Sequence, residues 1–430
     1  MTDVLTDFIT REAPPAELAE FRERAASYLA EHLPRRDPRR PWNPLNDDDD
    51  RASKNRELQR LLFDGGLAGL CYPREYGGQS LTIMHQRILD DLSDDYDWPM
   101  LFSTPTLSII GPTILECGTE EQKQRYIPAW IRGDELWVQF MSEPSGGSDM
   151  AGSLTRVDRD GEEFILNGSK IWSTYAFRSD LALCLARTNW DVPKHRGLSM
   201  LIVPIHHPGI TVNQIKMVDG TEEFCEEFFD DAVIPVANLV GKLDDGWTVA
   251  TRLLFHERAA VGGASPYTSG RYRGGGDSGR DELVSVARRQ GRTDDVAKQL
   301  VGQAEVLNVV QRALIDRVRL GIGTGYLPSQ AGSIVRLFAG MAAVERASIG
   351  LDLAGDSALV WDADGAGPDD TDEGHGGEGI AYIRRQASCL GGGSTEMARN
   401  LISERILGMP REHAADRGVA FREVKRNSSR

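Results

Sequence analysis

Three stretches of this 430-residue chain combine residue types that could do chemistry. In VQFMSEPSGGSDMAG, Val138 to Gly152, an extended run ends in Ser142-Glu143-Pro144 and gives way to a turn of small residues. Backbone N–H groups beside two hydroxyls suit such a turn to cradling a phosphate. Read alone, it is equally an ordinary turn closed by its own polar side chains. In LNGSKIWSTYAF, Asn167-Gly168 reads as a turn, and Trp172, Ser173 and Thr174 follow on a strand. A lone Trp there is usually core. Together, a planar aromatic, flanking hydroxyls and a phosphate-friendly turn suit a flat heterocycle joined to a pyrophosphate. The third stretch, CLGGGSTEMARN from Cys389 to Asn400, runs up to a helical pattern. Its Gly391-Gly392-Gly393 centre has no side chain to offer, so any carboxylate acting beside it must come from elsewhere.

The elements that must position these stretches fall into three regimes. From about Pro15 to Ala129 the apolar residues recur at helical steps, as in Leu18, Phe21, Ala25, Tyr28 and Leu29. A second helix, in NRELQRLLFDGGLAGLCYP, breaks at Gly65-Gly66, and REYGGQS reads as a turn. Between about Glu135 and Val240 the texture changes to short alternating runs, EFILNGSKIW, LALCLART and LSMLIVPI, separated by Asn-Gly, Pro-Gly and Asp-Gly pairs. From Asp244 the pattern is helical again, with Asp244 and Asp245 as cap candidates and Val249, Leu253 and Ala260 along one face. The expected organisation is α+β: a helical N-terminal domain over 1–134, a β middle domain over 135–243 and a helical C-terminal domain over 244–430. Segments near 265–282 and 362–379, rich in Gly and Asp and poor in apolar residues, are expected to be loops. The Gly321–Gly325 cluster reads as a helix break, since no strand leads into it as a dinucleotide fingerprint requires.

Composition narrows the classes further. Forty-nine basic against 65 acidic residues give a net charge of −16, which argues against nucleic acid as a general partner. The five cysteines, at 71, 117, 184, 225 and 389, show no metal-ligand spacing, so reduced thiols and a cytoplasmic setting are expected, with no bound metal. The N-terminal residues lack the charged and apolar regions of a signal peptide, and no run approaches ~18 apolar residues, so membrane insertion is not expected.

Five collinear segments give the chain a resemblance. FMSEPSGGSDMAG and LNGSKIWST resemble the two flavin-site signatures of the acyl-CoA dehydrogenase family, and GLAGLCYPREYGG, FFDDAVIPVANLVGKLDDGW and GGGSTEMARNLISERILGMPRE are similar to segments found across it in this order. The resemblance implies helical N-terminal, β middle and C-terminal four-helix-bundle domains, with FAD between the last two and a neighbouring subunit. Carried over by position, Phe140, Met141 and Ser142 would line the isoalloxazine edge. Ser148 would reach the pyrophosphate or acyl-CoA, Trp172 and Thr174 would contact the ring near N5, and Ser394, Thr395 and Glu396 would form another FAD-contacting stretch. The implied reaction is α,β-dehydrogenation of an acyl-CoA or acyl-carrier thioester. A carboxylate takes the α-proton, the β-hydride goes to flavin N5, and two hydrogen bonds polarise the thioester carbonyl in a site closed to water. An electron-transfer flavoprotein is the implied acceptor and a dimer or tetramer, homomeric or heteromeric, the implied assembly.

Some members of that family carry the base in the C-terminal loop, at the position that is Gly392 here. Others place it on a C-terminal-domain helix in a Glu-Arg pair, and LLFHERAAVGG puts Glu257 and Arg258 there. Adjacent helical residues point about 100° apart, so the Glu257 carboxylate is free to look toward the flavin. The plain alternative is a solvated helix charge. Glu396 is a rival base, although an acid in the first turn after Ser394 complements the helix dipole. His256 stands beside the base and could tune it. Ser148, Arg258 and Gly392 are the expected substrate-side residues, and the side-chain-free loop leaves room for a bulky, branched or cyclic acyl group.

The family's Arg-Lys-x-Phe-Gly run is replaced by VARRQGRTDDVAKQL, in which Arg288, Arg289 and Arg292 are possible substitutes, and GLDLAGDSALV is a possible stand-in for its glycine-rich cofactor loop. These departures keep two other readings open: a non-catalytic or half-site subunit of a heteromeric dehydrogenase, and a flavin monooxygenase or oxidase on the same fold.

Overall fold

A computed structural model describes residues 8–36, 49–261, 265–270, 279–359 and 377–425. The N-terminal part is helical: α1 (Pro15–His32), α2 (Asp49–Asp64), α3 (Ile83–Ser93), a π-helical run Phe102–Ile110 continuing into α4 (Gly111–Cys117), and α5 (Glu120–Arg132). In α1 the four-residue spacing predicted one apolar face, and Phe21, Ala25 and Leu29 are its buried residues. α2 stops at Asp64, and Gly66 takes a left-handed φ of 63°. α5 starts at a reciprocal cap in which Thr119 and Gln122 each satisfy the other's backbone N–H. The Gln122 amide then reaches on to Ala237 O (2.9 Å) and Leu239 O (3.0 Å), fastening the helix to the sheet domain.

The middle part is an eight-stranded sheet of β1 (Trp137–Phe140), β2 (Arg156–Asp160), β3 (Glu163–Thr174), β4 (Leu181–Arg187), β5 (Leu198–Pro204), β6 (Ile210–Ile215), β7 (Phe224–Pro235) and β8 (Leu239–Val240). Its order is β6-β7-β3-β2-β4-β5-β8, and β1 lies parallel to β4 with Gln139 opposite Leu183. Alternation along β4 sends Leu183 and Leu185 into a core shared with the N-terminal helices and Cys184 and Ala186 into a second core with Val138, Phe140 and Phe229. The expected alternation does not hold for β4 and β5, which are buried along nearly their whole length because each face packs on a core.

Asn167-Gly168, expected as a turn, lies inside β3. The ladder to β7 is irregular there: Asn167 bonds to Asp231 across the pair, and Gly168 packs so closely on Thr155 that a Cβ would stand 2.8 Å from its Cα. The β2–β3 hairpin turns instead at Asp160-Gly161-Glu162-Glu163, with Gly161 at φ 59°.

The C-terminal region is helical, with α6 (Gly246–Val261), α7 (Gly279–Arg289), α8 (Asp295–Gly323), α9 (Gly332–Ala354), α10 (Gly377–Arg384) and α11 (Thr395–Leu401). α7, α8 and α9 share a core of Leu283, Val286, Ala304, Ile349 and Leu353. α6 joins a different core. Its Val249, Ala250, Leu253 and Ala260 pack with the N-terminal helices and one face of the sheet. Two expected loops are shorter than their composition implied, because α7 begins at Gly279 and α10 at Gly377; residues 271–278 and 362–376 of them lie outside the described residues. The Gly321–Gly325 cluster ends α8, whereas GLDLAGDSALV is the end of α9 with a short turn after it, not a glycine-rich loop. No described helix is long and apolar enough to cross a membrane, and all five cysteines are unbridged.

Candidate active site

The site is built where β1, the turn after it, β3, α6 and the glycine loop converge. β1 alternates: Val138 and Phe140 point into the sheet's second core, and Trp137 and Met141 pack the other way. Gln139 points to the side of Trp137 and Met141, and its Nε2 donates to Glu257 Oε2 on α6 (3.2 Å). The other oxygen of Glu257 faces the glycine loop, since a Cβ on Gly392 would stand 3.9 Å from Oε1. The helix carboxylate and the loop thus border one space. Glu257 is largely enclosed, and burial raises its pKa above the usual carboxylate value against the opposing pull of the Gln139 hydrogen bond and the Arg258 charge.

α6 is held in place on its other side. Glu116, at the end of α4, accepts from Arg252 Nε (2.5 Å) and Nη2 (2.7 Å) and lies 3.1 Å from His256 Nε2. Burial would raise the Glu116 pKa, but these partners outweigh it and bring it down to about 2. His256, expected as a neighbour able to tune the base, is directed at Glu116 instead, since consecutive helical residues diverge by about 100°.

The glycine loop is itself clamped. Arg336, on α9, donates to Ser388 O (2.9 Å) and Gly391 O (2.6 Å). Gly392 and Gly393 take φ values of 69° and 94°, a left-handed backbone open to glycine and strained for other residues. Ser394 then caps α11, its hydroxyl accepting from Met397 N (3.2 Å). Thr395 is buried, while the Glu396 side chain is 73% exposed and sits near Arg399 and Thr395. Glu396 therefore looks to solvent in the helix's first turn, where its own backbone N–H, the Ser394 and Thr395 hydroxyls and Arg399 lower its pKa.

The turn after β1 is organised from inside. Glu143 is buried and accepts from Lys170 Nζ (2.8 Å), Leu154 N (2.6 Å), Thr155 N (3.0 Å) and the Ser153 hydroxyl. Burial would raise its pKa, and the Lys170 ammonium and these donors bring it down to about 2. Glu143 is thus neutralised within the fold, leaving half-buried Ser142, exposed Ser148 and exposed Asp149, itself paired with Lys194 at 2.9 Å, toward the outside. Ile171 N donates to Ser142 O (3.0 Å), which brings β3 against the end of β1. The next residue, Trp172, sits in a register shift of β3 at φ 68° and is 50% exposed, with Phe224 edge-on at 5.9 Å and Thr174 exposed beyond it. Half-exposed Trp in strained backbone is not core packing.

The structure therefore joins Ser142 to the strand segment beside Trp172, and Glu257 both to Gln139 on the strand leading into Ser142 and to the loop at Gly392. Phe140 stands apart: its side chain is fully buried against Phe229, so only its backbone is available to a ligand. Arg258 is exposed on the flank of α6. Arg289 pairs with Glu378, and Arg292 bonds to Asp352 O and Asp294, so both tie the C-terminal helices together. Gln139 and Arg336 escaped the sequence reading. Gln139 lies within one of the quoted stretches, yet nothing local marks its partner, 118 residues away.

The chain is similar to known proteins in sequence and in structure. The family models described as acyl-CoA dehydrogenase N-terminal domain and acyl-CoA dehydrogenase middle domain match residues 15–134 and 139–232. Acyl-CoA dehydrogenase IpdE1 of Mycobacterium tuberculosis is 30% identical over 364 residues, covering 84% of this chain and 89% of that protein. Acyl-CoA dehydrogenase FadE26 of the same organism is 31% identical, covering 82% and 87%. A solved structure named Tcur3481-Tcur3483 steroid ACAD superposes with a TM-score of 0.71 at 26% identity, covering 93% of this chain and 99% of that one. In sequence and in shape, this chain belongs to the acyl-CoA dehydrogenase family.

Proposed function

We propose that the protein catalyses FAD-dependent α,β-dehydrogenation of an acyl thioester, with Glu257 as the base. The observation that carries this is the Glu257 carboxylate, enclosed, tethered by Gln139 and facing the side-chain-free loop at Gly392. A carboxylate whose pKa burial has raised binds a proton more strongly than a solvated one, as abstraction from a weakly acidic carbon demands. Glu396, exposed and with its pKa lowered, is poorly suited to the same task.

The residues present fit FAD. Trp172 offers a half-exposed aromatic surface on the strand that also carries exposed Thr174, and the two acids of the turn after β1 are each paired with a lysine, buried Glu143 with Lys170 and exposed Asp149 with Lys194. We assign cofactor contacts to Met141, Ser142, Ser148, Trp172 and Thr174, with the Phe140 backbone and the Ser394–Glu396 stretch bordering them. Bound FAD would accept the β-hydride of the substrate. The chain's own part is to hold the α-proton acceptor still, to keep water from it and to leave space for the acyl group. With Glu257 on α6, the wall at Gly391–Gly393 is free to admit a bulky or cyclic acyl chain, a reading that the similarity to a structure named as a steroid ACAD supports. That name also pairs two proteins, which supports a heteromeric assembly for this chain, with an electron-transfer flavoprotein as acceptor. A well-formed acid site favours a catalytic over a non-catalytic subunit.

The test is flavin bleaching under anaerobic mixing with a panel of acyl-CoAs. Glu257→Gln is expected to retain bound flavin and to slow reduction by roughly 10²–10⁴-fold, while Glu396→Gln stays fast. The opposite pairing of results would refute the assignment.

A further inference from the structure

We infer that Gln139 is a positioning residue for the proton acceptor, its amide holding Glu257 in both protonation states. This rests on the reading of Glu257 as the base. The two Glu257 oxygens have different surroundings: Oε2 receives the Gln139 Nε2–H group at 3.2 Å, and Oε1 faces Gly392. One oxygen is therefore tethered and the other is left for the reacting proton.

The far end of the amide makes the case specific. Gln139 Oε1 is buried and has no hydrogen-bond partner. A buried amide oxygen without a donor is unusual in a folded interior, and an inert scaffold position would be filled as well by an apolar side chain. With Glu257 ionised, the NH₂ end must face the carboxylate, since two acceptors repel. Once Glu257 has taken a proton on Oε1, its Oε2 becomes a carbonyl oxygen that still accepts from Gln139 Nε2, so the loaded acid keeps its anchor and does not swing into the substrate space. The rigid support is also present: β1 is fixed by its parallel register with β4, and Trp137 and Phe140 on either side of Gln139 are fully buried.

The donor also sets the basicity of the site. Arg258, next on the helix, is the other group that favours ionised Glu257, and burial opposes both. Loss of the Gln139 donor removes a hydrogen bond that is stronger to the charged form than to the neutral one, so the carboxyl must hold its proton to higher pH.

Gln139→Met preserves length and volume without a donor or acceptor. Two readouts apply to the FAD-loaded protein. One is the pH profile of flavin reduction by acyl-CoA. The other, made without substrate, is an infrared titration of the carboxyl C=O band that Glu257→Gln abolishes. The expected result is unchanged flavin content with both midpoints moved upward by about one pH unit or more. Gln139→Glu, which keeps the side-chain length and puts an acceptor in place of the donor, should move them further, and it serves if the Met variant fails to fold. Midpoints equal to the parent's in either folded variant would overturn the inference, even with Glu257 as the base. A Glu257→Gln protein that still bleaches at the parent rate would instead sink the functional reading beneath it.

Discussion

Glutamine in place of Glu227 is expected to raise the stability of this protein relative to the parent progressively as the pH rises toward 8. Glu227 lies on β7 opposite Lys170 of β3, fully buried, with one oxygen bonded to the Ser173 hydroxyl and the other without a hydrogen-bond partner. Burial is the largest influence on its pKa. The Ser173 bond and Lys170 only partly offset burial and the neighbouring Glu226, and the value rises from 4.5 to about 8. A carboxyl whose folded pKa lies above its unfolded one binds a proton more tightly in the native state. It costs nothing below pH 4.5, and the native state loses stability progressively as the pH climbs from there to about 8. That span is about 3.5 pH units, and at about 1.4 kcal/mol per unit the ceiling is roughly 5 kcal/mol, of which about 3 kcal/mol is reached by pH 7. Glutamine retains an acceptor for Ser173 and never ionises. Its own buried NH₂ adds a penalty of roughly 1–3 kcal/mol, but that offset does not depend on pH. The measurement is therefore the difference in urea midpoint between Glu227→Gln and the parent, taken across the range. A difference that is flat between about pH 5 and 8 would show that Glu227 is not a buried, proton-holding carboxyl and would refute the electrostatic reasoning.

Two further outcomes follow from the same geometry. Lys170→Met leaves Glu143 buried without its cation, and the loss of one member of a buried pair is expected to cost about 3–5 kcal/mol and to lower bound flavin, read by denaturation and by the absorbance ratio of the purified protein; a stability within 1 kcal/mol of the parent, by the same scale, would count against the pair. Gly392→Ala places a Cβ 3.9 Å from Glu257 Oε1 on a left-handed backbone, so a cost of roughly 1–2 kcal/mol is expected. Flavin reduction by a polycyclic acyl-CoA should then fall more than reduction by a straight-chain one. Equal losses on both substrates would mean that the loop does not border the acyl group.

Regular periodicity carried most of the fold. The four-residue spacing in α1 and the glycines that end α2 and α8 each reflect a local preference that tertiary packing leaves intact. The failures share one cause. Asn167-Gly168 is chemically a turn, yet the sheet absorbs it as an irregularity because Asp231 and Thr155 supply partners from distant strands. Glycine-rich composition at Gly279 and Gly377 hid two helix starts, which packing rather than propensity fixes. In the site, motif matching pointed to Trp172 and Glu257, whereas Gln139, Arg336 and the Glu116 anchor act through partners far along the chain and leave no local mark.

The seating of α6 has an architectural consequence. Glu257 stands on a sixteen-residue rod wedged between the first domain and the sheet, whereas the surface opposite, Gly391–Gly393, is bare main chain tied down by Arg336. On the proposed assignment, chemistry and admission fall to separate parts of the polypeptide. Residues 391–393 would then be a place where descendants of this sequence, or an engineer, can recut the doorway for a different guest without retuning the proposed base.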